Sequence, residues 1–257
     1  MNLEKIKKGF KYLVFGPVTP FHNQNVGSAI KLQKKTLRNI WLNNGYPSFG
    51  IERLIRLSLS LFQFISIGLY IRHIFGWFGL LWRKIGVELL VLIKLVFPVL
   101  ILLFGLTSSF WIPYVLGYLI IDTIFYIAGI IFLADIYKGT ITYKRSLITL
   151  FFNYLEITLD FAVIYAHFDS VKEQFFTRKL ENSFEAVYFS FVTSATVGYG
   201  DIAPKTPLGQ FLVIAQIILF FIFIGIFLNY FTSKINSETF YNRKPSQNTN
   251  KANAKKQ

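Results

Sequence analysis

Thr196-Val197-Gly198-Tyr199-Gly200-Asp201 is followed at once by Ile202-Ala203-Pro204 and, after Lys205, by Thr206-Pro207-Leu208-Gly209. Gly198 and Gly200 allow backbone angles that a side chain forbids. Val197 and Tyr199 between them carry bulk that must point elsewhere. A simple turn accounts for the two glycines. It accounts neither for the flanking residues nor for the long apolar stretches on both sides.

The 257-residue chain is 53% hydrophobic and 16% charged, which indicates membrane spans rather than one or two soluble domains. Four stretches reach the ~20 residues that a bilayer crossing needs: 85–106, 111–136, 146–168 and 209–230. Pro98 falls inside the first and predicts a kink, which membrane helices tolerate. The link at 107–109 is short, so the first two spans form an antiparallel hairpin. Trp77, Trp82 and Trp111 lie near span ends, where indole rings favour the interface. A net charge of +14 reads as the basic excess of cytoplasmic loops rather than as nucleic-acid binding, for which no motif is present. Without cysteine there are no disulfides or thiolate metal sites. The basic start, Met1 to Tyr12, lacks the apolar core and cleavage site of a secretory signal peptide.

The run at 196–201 resembles the selectivity filter of the potassium channel pore family. Ser183 to Thr193 resembles that family's pore helix, and Asp201, Pro204 and Thr206 to Gly209 resemble its link to the inner helix. The likeness covers residues 146–233. It implies an all-α integral membrane protein with four transmembrane helices per chain. The pore helix and filter loop lie between the third and fourth, and four chains surround one axis as a homotetramer. It also implies that the backbone oxygens of Thr196, Val197, Gly198, Tyr199 and Gly200 replace the water around K+, with the Thr196 hydroxyl at the inner end. Asp201 then concentrates cations at the outer mouth. Tyr188, Phe189, Val192 and Thr193 support the loop, with Tyr188, Phe189, Phe191 and Tyr199 as an aromatic collar. Phe221, Ile224, Gly225 and Leu228 line the inner cavity, and Asn229 its mouth. Beyond K+ in the filter no cofactor is implied. The partners are further copies of the chain and membrane lipid, not nucleic acid. Two departures stand out: Ala195 replaces a frequent threonine, and Phe220 stands where many relatives have a hinge glycine. Gly225, more than a turn later, reads as a close-packing position rather than a bend.

The family places the filter outside and both ends of the pore unit inside. Basic residues agree, with Lys5, Lys7, Lys8, Lys11, Lys31, Lys34, Lys35 and Arg38 before the spans. Lys138, Lys144 and Arg145 precede the pore unit, and Lys234, Arg243, Lys244, Lys251, Lys255 and Lys256 follow it. Both termini are therefore expected in the cytoplasm and the protein in the cell membrane. Five regions follow: a cytoplasmic N-terminal region (1–50), an interfacial segment (51–84), a transmembrane hairpin (85–136), the pore domain (146–233) and a disordered tail (234–257). Within 51–73, Glu52, Arg56, Ser60, Gln63 and Ser66 recur at helical spacing. They predict one amphipathic helix on the inner leaflet, with a re-entrant or spanning helix as the alternative.

Lys94, Asp122, Glu156 and Asp160 sit inside apolar spans, where charge is costly and usually paired. At ~1.5 Å per residue Lys94 reaches Glu156 most easily and Asp122 next, a network joining the hairpin to the pore unit. No span before the pore unit carries the row of basic residues of a voltage sensor, and no acid–base or metal-ligand constellation suggests an enzyme. His22, His73 and His167 are scattered. Arg83 and Lys84 read first as topology anchors and second as contacts for anionic lipid. The functional reading is a passive potassium-selective channel. The alternatives are a less selective monovalent cation channel and a potassium transporter or uptake subunit.

Overall fold

A computed structural model describes residues 27–44, 48–133 and 143–235. Residues 1–26 and 236–257, Lys138, and the side chains of Lys144, Arg145 and Asn229 lie outside the described residues. So does most of the expected disordered tail. Eight α-helices are described: α1 (Ala29–Trp41), α2 (Gly50–Phe62), α3 (Ile67–Gly76), α4 (Leu80–Leu103), α5 (Ile112–Phe132), α6 (Tyr143–Val171), α7 (Ser183–Ser194) and α8 (Pro207–Ile235). Four of them, Leu80–Leu103, Ile112–Gly129, Leu147–Val171 and Pro207–Leu228, are long and apolar enough to cross a membrane. The described residues form an all-helical integral membrane protein.

The stretch expected as one amphipathic helix is two. α2 and α3 are bent by 60° at a four-residue break. The Ser66 hydroxyl caps α3 by accepting from the Gly68 N–H at 3.3 Å. Carbonyls freed at the break need partners in an apolar setting. The Tyr70 hydroxyl donates to the Phe64 carbonyl at 2.7 Å and the Tyr118 hydroxyl to that of Ile65 at 3.0 Å. α2 stacks Phe62 on Phe125 of α5, with ring centroids 3.8 Å apart. α1 joins this layer through the Gln33 side-chain amide, which donates to the Ser60 carbonyl and approaches its hydroxyl. α3 lies against the start of α4, where a Cβ on Gly86 would come within 2.6 Å of the Phe75 ring. Only glycine permits that approach.

α4 runs helical through Pro98. A 3₁₀ turn at Leu106–Ser108 then leads into α5, giving the expected hairpin. α4 starts five residues earlier than the expected 85, which sets Lys94 ~7 Å further along the helix. That brings it level with both acids. Lys94 Nζ lies 3.3 Å from Asp122 Oδ2 and 3.1 Å from Glu156 Oε1. It also donates to the Thr123 hydroxyl, which sits 3.1 Å from both Glu156 oxygens. One ammonium thus ties α4, α5 and α6 together. Asp160, one turn beyond Glu156, is fully buried and neither of its oxygens has a hydrogen-bond partner.

Removing one partner of a buried ion pair costs about 3–5 kcal/mol because a charge is left uncompensated. Lys94→Met is therefore expected to lower the unfolding temperature in detergent sharply. Adding Glu156→Gln should recover part of the loss through coupling between the sites. A Lys94→Glu protein that assembles and melts like the wild type would remove this cluster as a brace.

Candidate functional site

The filter loop grows directly out of α7. Asn182 caps the helix, its side-chain oxygen accepting from the Glu185 N–H at 3.0 Å. At the other end the Thr196 N–H donates to the Thr193 carbonyl at 3.0 Å and the Val197 N–H to that of Val192 at 3.0 Å. Those two bonds form a Schellman cap, which places one left-handed residue after the helix. The residue is normally glycine; here it is Thr196, at φ 55°. Left-handed backbone costs an L-residue roughly 1–2 kcal/mol. The strain at Thr196 was not legible from its residue type.

Gly198 and Gly200 repeat the sign, at φ 58° and 83°. Val197 and Tyr199 do not take positive φ. In an ordinary strand successive carbonyls alternate sides. Alternation of hand along a segment is the backbone pattern that lets successive carbonyls share a side. Among the described residues no hydrogen bond ends on the carbonyls of residues 196–200. Val197 is 51% and Tyr199 70% exposed in the single chain, and a Cβ on Gly198 or Gly200 would meet nothing within 4 Å. One chain therefore leaves the side-chain face of the loop largely uncovered.

Behind the loop a buried polar network fixes α7. Gln216 of α8 is 2% exposed. Its amide nitrogen donates to the Ser190 carbonyl at 3.0 Å and lies 2.8 Å from the Ser190 hydroxyl. Its oxygen accepts from the Tyr165 hydroxyl of α6 at 2.9 Å. Ser190 in turn donates to the Thr158 carbonyl at 2.6 Å. One amide therefore links outer, pore and inner helices. The available signal was a lone polar residue inside an apolar span.

Tyr188 and Tyr199 stack parallel, with centroids 6.5 Å apart and planes 2° from each other. Phe189 does not join this pair within the chain. It is buried against Tyr165 and Phe176, at centroid distances of 4.9 and 4.8 Å. Thr193 is buried, Val192 is half-buried and Phe191 remains exposed. On α8, Phe221, Ile224, Gly225 and Leu228 all lie exposed. The packing expected at Gly225 is absent within the chain, since a Cβ there would meet nothing within 4 Å. Phe220, at the hinge position, packs on Tyr154 of α6 at 6.1 Å.

The segment before α7 pairs with the link after the filter. Thr177 N–H donates to the Ala203 carbonyl at 2.8 Å and Lys205 N–H to that of Phe175 at 2.9 Å. Gly209 is needed beneath this clamp, because a Cβ would lie 2.9 Å from Pro204 Cβ and 3.1 Å from the Phe175 ring. Arg178 holds Glu185 with two bonds of 2.8 Å. The Glu181 N–H adds a third at 2.8 Å. The arginine, then the amide, hold the Glu185 carboxyl below its usual range. His167 Nδ1 lies 2.6 Å from the Thr107 carbonyl. That oxygen can only accept, so the ring is protonated at Nδ1 and joins α6 to the hairpin turn.

Helices long enough to span a bilayer around a capped pore helix and a bare carbonyl loop define a pore-loop unit. A family model described as Ion channel matches residues 153–237, about a third of the chain, and this segment is similar to the pore unit of such channels. The chain is 44% identical over 41 residues to a hyperpolarization-activated voltage-gated potassium channel of Methanocaldococcus jannaschii. The match covers 16% of this chain and only 20% of that protein's length. No solved structure matches the chain.

Gln216→Leu leaves the Tyr165 hydroxyl and Ser190 without their partner in a dry site, at roughly 1–3 kcal/mol. A lower unfolding temperature is expected, with the variant still membrane-inserted. At the outer clamp the sign follows from the depressed Glu185 carboxyl. Its bonds persist below the ordinary glutamate range and are lost only as pH falls through the lowered value. Exchange protection of the Glu181 amide should follow that acid titration, and Arg178→Gln should move the loss to higher pH.

Proposed function

We propose that the chain is a subunit of a potassium-selective channel, in which four copies bring their 196–200 loops around one axis and conduct K+ passively. The observation that carries this reading is the loop's one-sided hydrogen bonding. The N–H groups of Thr196 and Val197 are spent on α7, while the carbonyls of residues 196–200 accept nothing among the described residues. Backbone carbonyls at membrane depth cannot face lipid. They must line a water or ion path or be covered by protein, and rings of such oxygens can replace the hydration shell of K+. Thr196, Val197, Gly198 and Tyr199 are the residues assigned to hold the ion, with Gly200 at the outer end and Asp201 drawing cations to it. The carbonyl end of α7 points toward the same place, and its dipole favours a cation.

Further support for a fourfold assembly comes from α8. Only 11% of its apolar window is buried in the chain, against 56% for α6. A closed ring of identical subunits covers such a face, and cyclic symmetry is the usual solution. Phe221, Ile224, Gly225 and Leu228 then line the inner cavity. Basic residues before the spans and after α8 support a cytoplasmic side for both termini of a cell-membrane protein. The voltage gating named for the archaeal relative is not carried over. α4 holds Arg83, Lys84 and Lys94, and α5 no lysine or arginine, so neither has a sensor's row of charges.

The reading is tested by potassium flux from liposomes containing the purified protein, with sodium as competitor and barium as blocker. Potassium is expected to pass far faster than sodium, barium to block, and Gly198→Asp to abolish selective flux. Equal sodium and potassium flux would instead favour the less selective channel. A monomeric mass in detergent together with no flux would defeat both.

A further inference from the structure

Neither the filter nor the Lys94 cluster uses the charges at the turn between α3 and α4. Arg72 is four residues before the end of α3, and Arg83 sits in the first turn of α4. Arg72 and Gly76 are one turn apart and share a face of α3. The Arg83 Cδ lies 3.9 Å from where a Cβ would stand on Gly76, so its stem lies along the end of α3. Both residues are half-buried. Among the described residues neither guanidinium forms an ion pair; Arg72 Nε donates to the Gly68 carbonyl at 3.1 Å. Asp122, which lines the same small cavity as Arg72, is engaged by Lys94 at 3.3 Å. The negative end of a helix favours one cation; it does not account for a second brought to the same face.

We propose that Arg72 and Arg83 form a binding site for the phosphate of an anionic phospholipid headgroup. Guanidinium groups present paired donors that match phosphate oxygens, and one anion between two of them is attracted to both. The surroundings point to lipid rather than a soluble phosphate. Trp77, Phe78 and Trp82 are exposed at the turn, and aromatic side chains favour headgroup level. Ile74 and Leu89 beside them are also exposed and offer an apolar surface to acyl chains. The cavity next to Arg72 has room for about 30 Å³, enough for a water but not for a headgroup, so the lipid sits at the surface. This site depends on membrane embedding and not on potassium selectivity.

The test uses the full chain purified in detergent, with retained lipid read by native mass spectrometry across a titration of phosphatidylglycerol or phosphatidylcholine. The wild type is expected to hold phosphatidylglycerol in preference to phosphatidylcholine. Arg72→Gln/Arg83→Gln should bind it about 30-fold more weakly, as two near-surface charges are lost. Arg72→Lys/Arg83→Lys, which keeps charge and fold, should bind between the two. Phosphatidylglycerol binding by the glutamine variant equal to wild type overturns the site. So does displacement of the lipid by millimolar inorganic phosphate, which would place the ligand in solution. Potassium flux in phosphatidylcholine vesicles is measured separately, so lost lipid binding with intact flux belongs to this site alone. A wild type that fails to conduct bears only on the channel reading.

Discussion

A peptide carbonyl inside a bilayer must have a partner, and the loop at 196–200 leaves its carbonyls bare. Much of the pore unit answers that constraint. The loop cannot be held by its oxygens if they are to stay available, so it is held from behind. Two N–H groups close a Schellman cap on α7, and Tyr188 stacks on Tyr199. The left-handed Thr196 is a local cost accepted for that geometry. Strain of this kind persists only where neighbouring structure over-determines the backbone. Here the neighbour is a helix whose position is itself fixed by Gln216.

That dependence runs outward in layers. α7 is short, and its place is set both by apolar packing, with Phe189 against Tyr165 and Phe176, and by buried hydrogen bonds to α6 and α8. Such networks rigidify when every member is satisfied. The chain Tyr165–Gln216–Ser190–Thr158 meets that condition. α6 is braced on its far side by Lys94, which brings α4 and α5 into register with it. The peripheral hairpin is therefore mechanically continuous with the filter: ammonium to Glu156, helix α6 to Thr158 and Tyr165, and these to Ser190 and Gln216 behind the loop.

Much of this was legible in the residues, for identifiable reasons. Membrane spans read clearly because length and apolarity have no competing interpretation. The loop at 196–201 stood out because glycine spacing, flanks and spans agree. Lys94 pairing was expected from depth alone, and the early start of α4 explains why both acids are reached rather than one. Three features stayed hidden. Thr196 gives no sign of left-handed backbone, because its conformation comes from the cap and not from the residue. Gln216 looks like a stray polar residue until Ser190 and Tyr165 are brought beside it. The polar stripe from Glu52 to Ser66 suggested one continuous helix. Yet its last members, Gln63 and Ser66, flank the break, and Ser66 serves as the cap of the next helix. Periodicity records which face is polar; it does not record where the axis turns.

The anchors on α8 divide it unequally. Gly209 is pressed against Pro204 and Phe175, and Gln216 is locked in the network two turns on. Phe220 and Phe223 both contact the Tyr154 ring, at 6.1 and 5.7 Å. Past Phe223 the contacts with the core come from Ile226 and Phe227, which are only partly buried. The fixed part of the helix thus lies level with the pore helix. A glycine at 220 would interrupt the aromatic contact with Tyr154. A glycine at 225 interrupts nothing within the chain, because no atom stands where its side chain would be. The phenylalanine at the first position packs α8 on α6, and the glycine at the second leaves its side-chain space empty among the described residues.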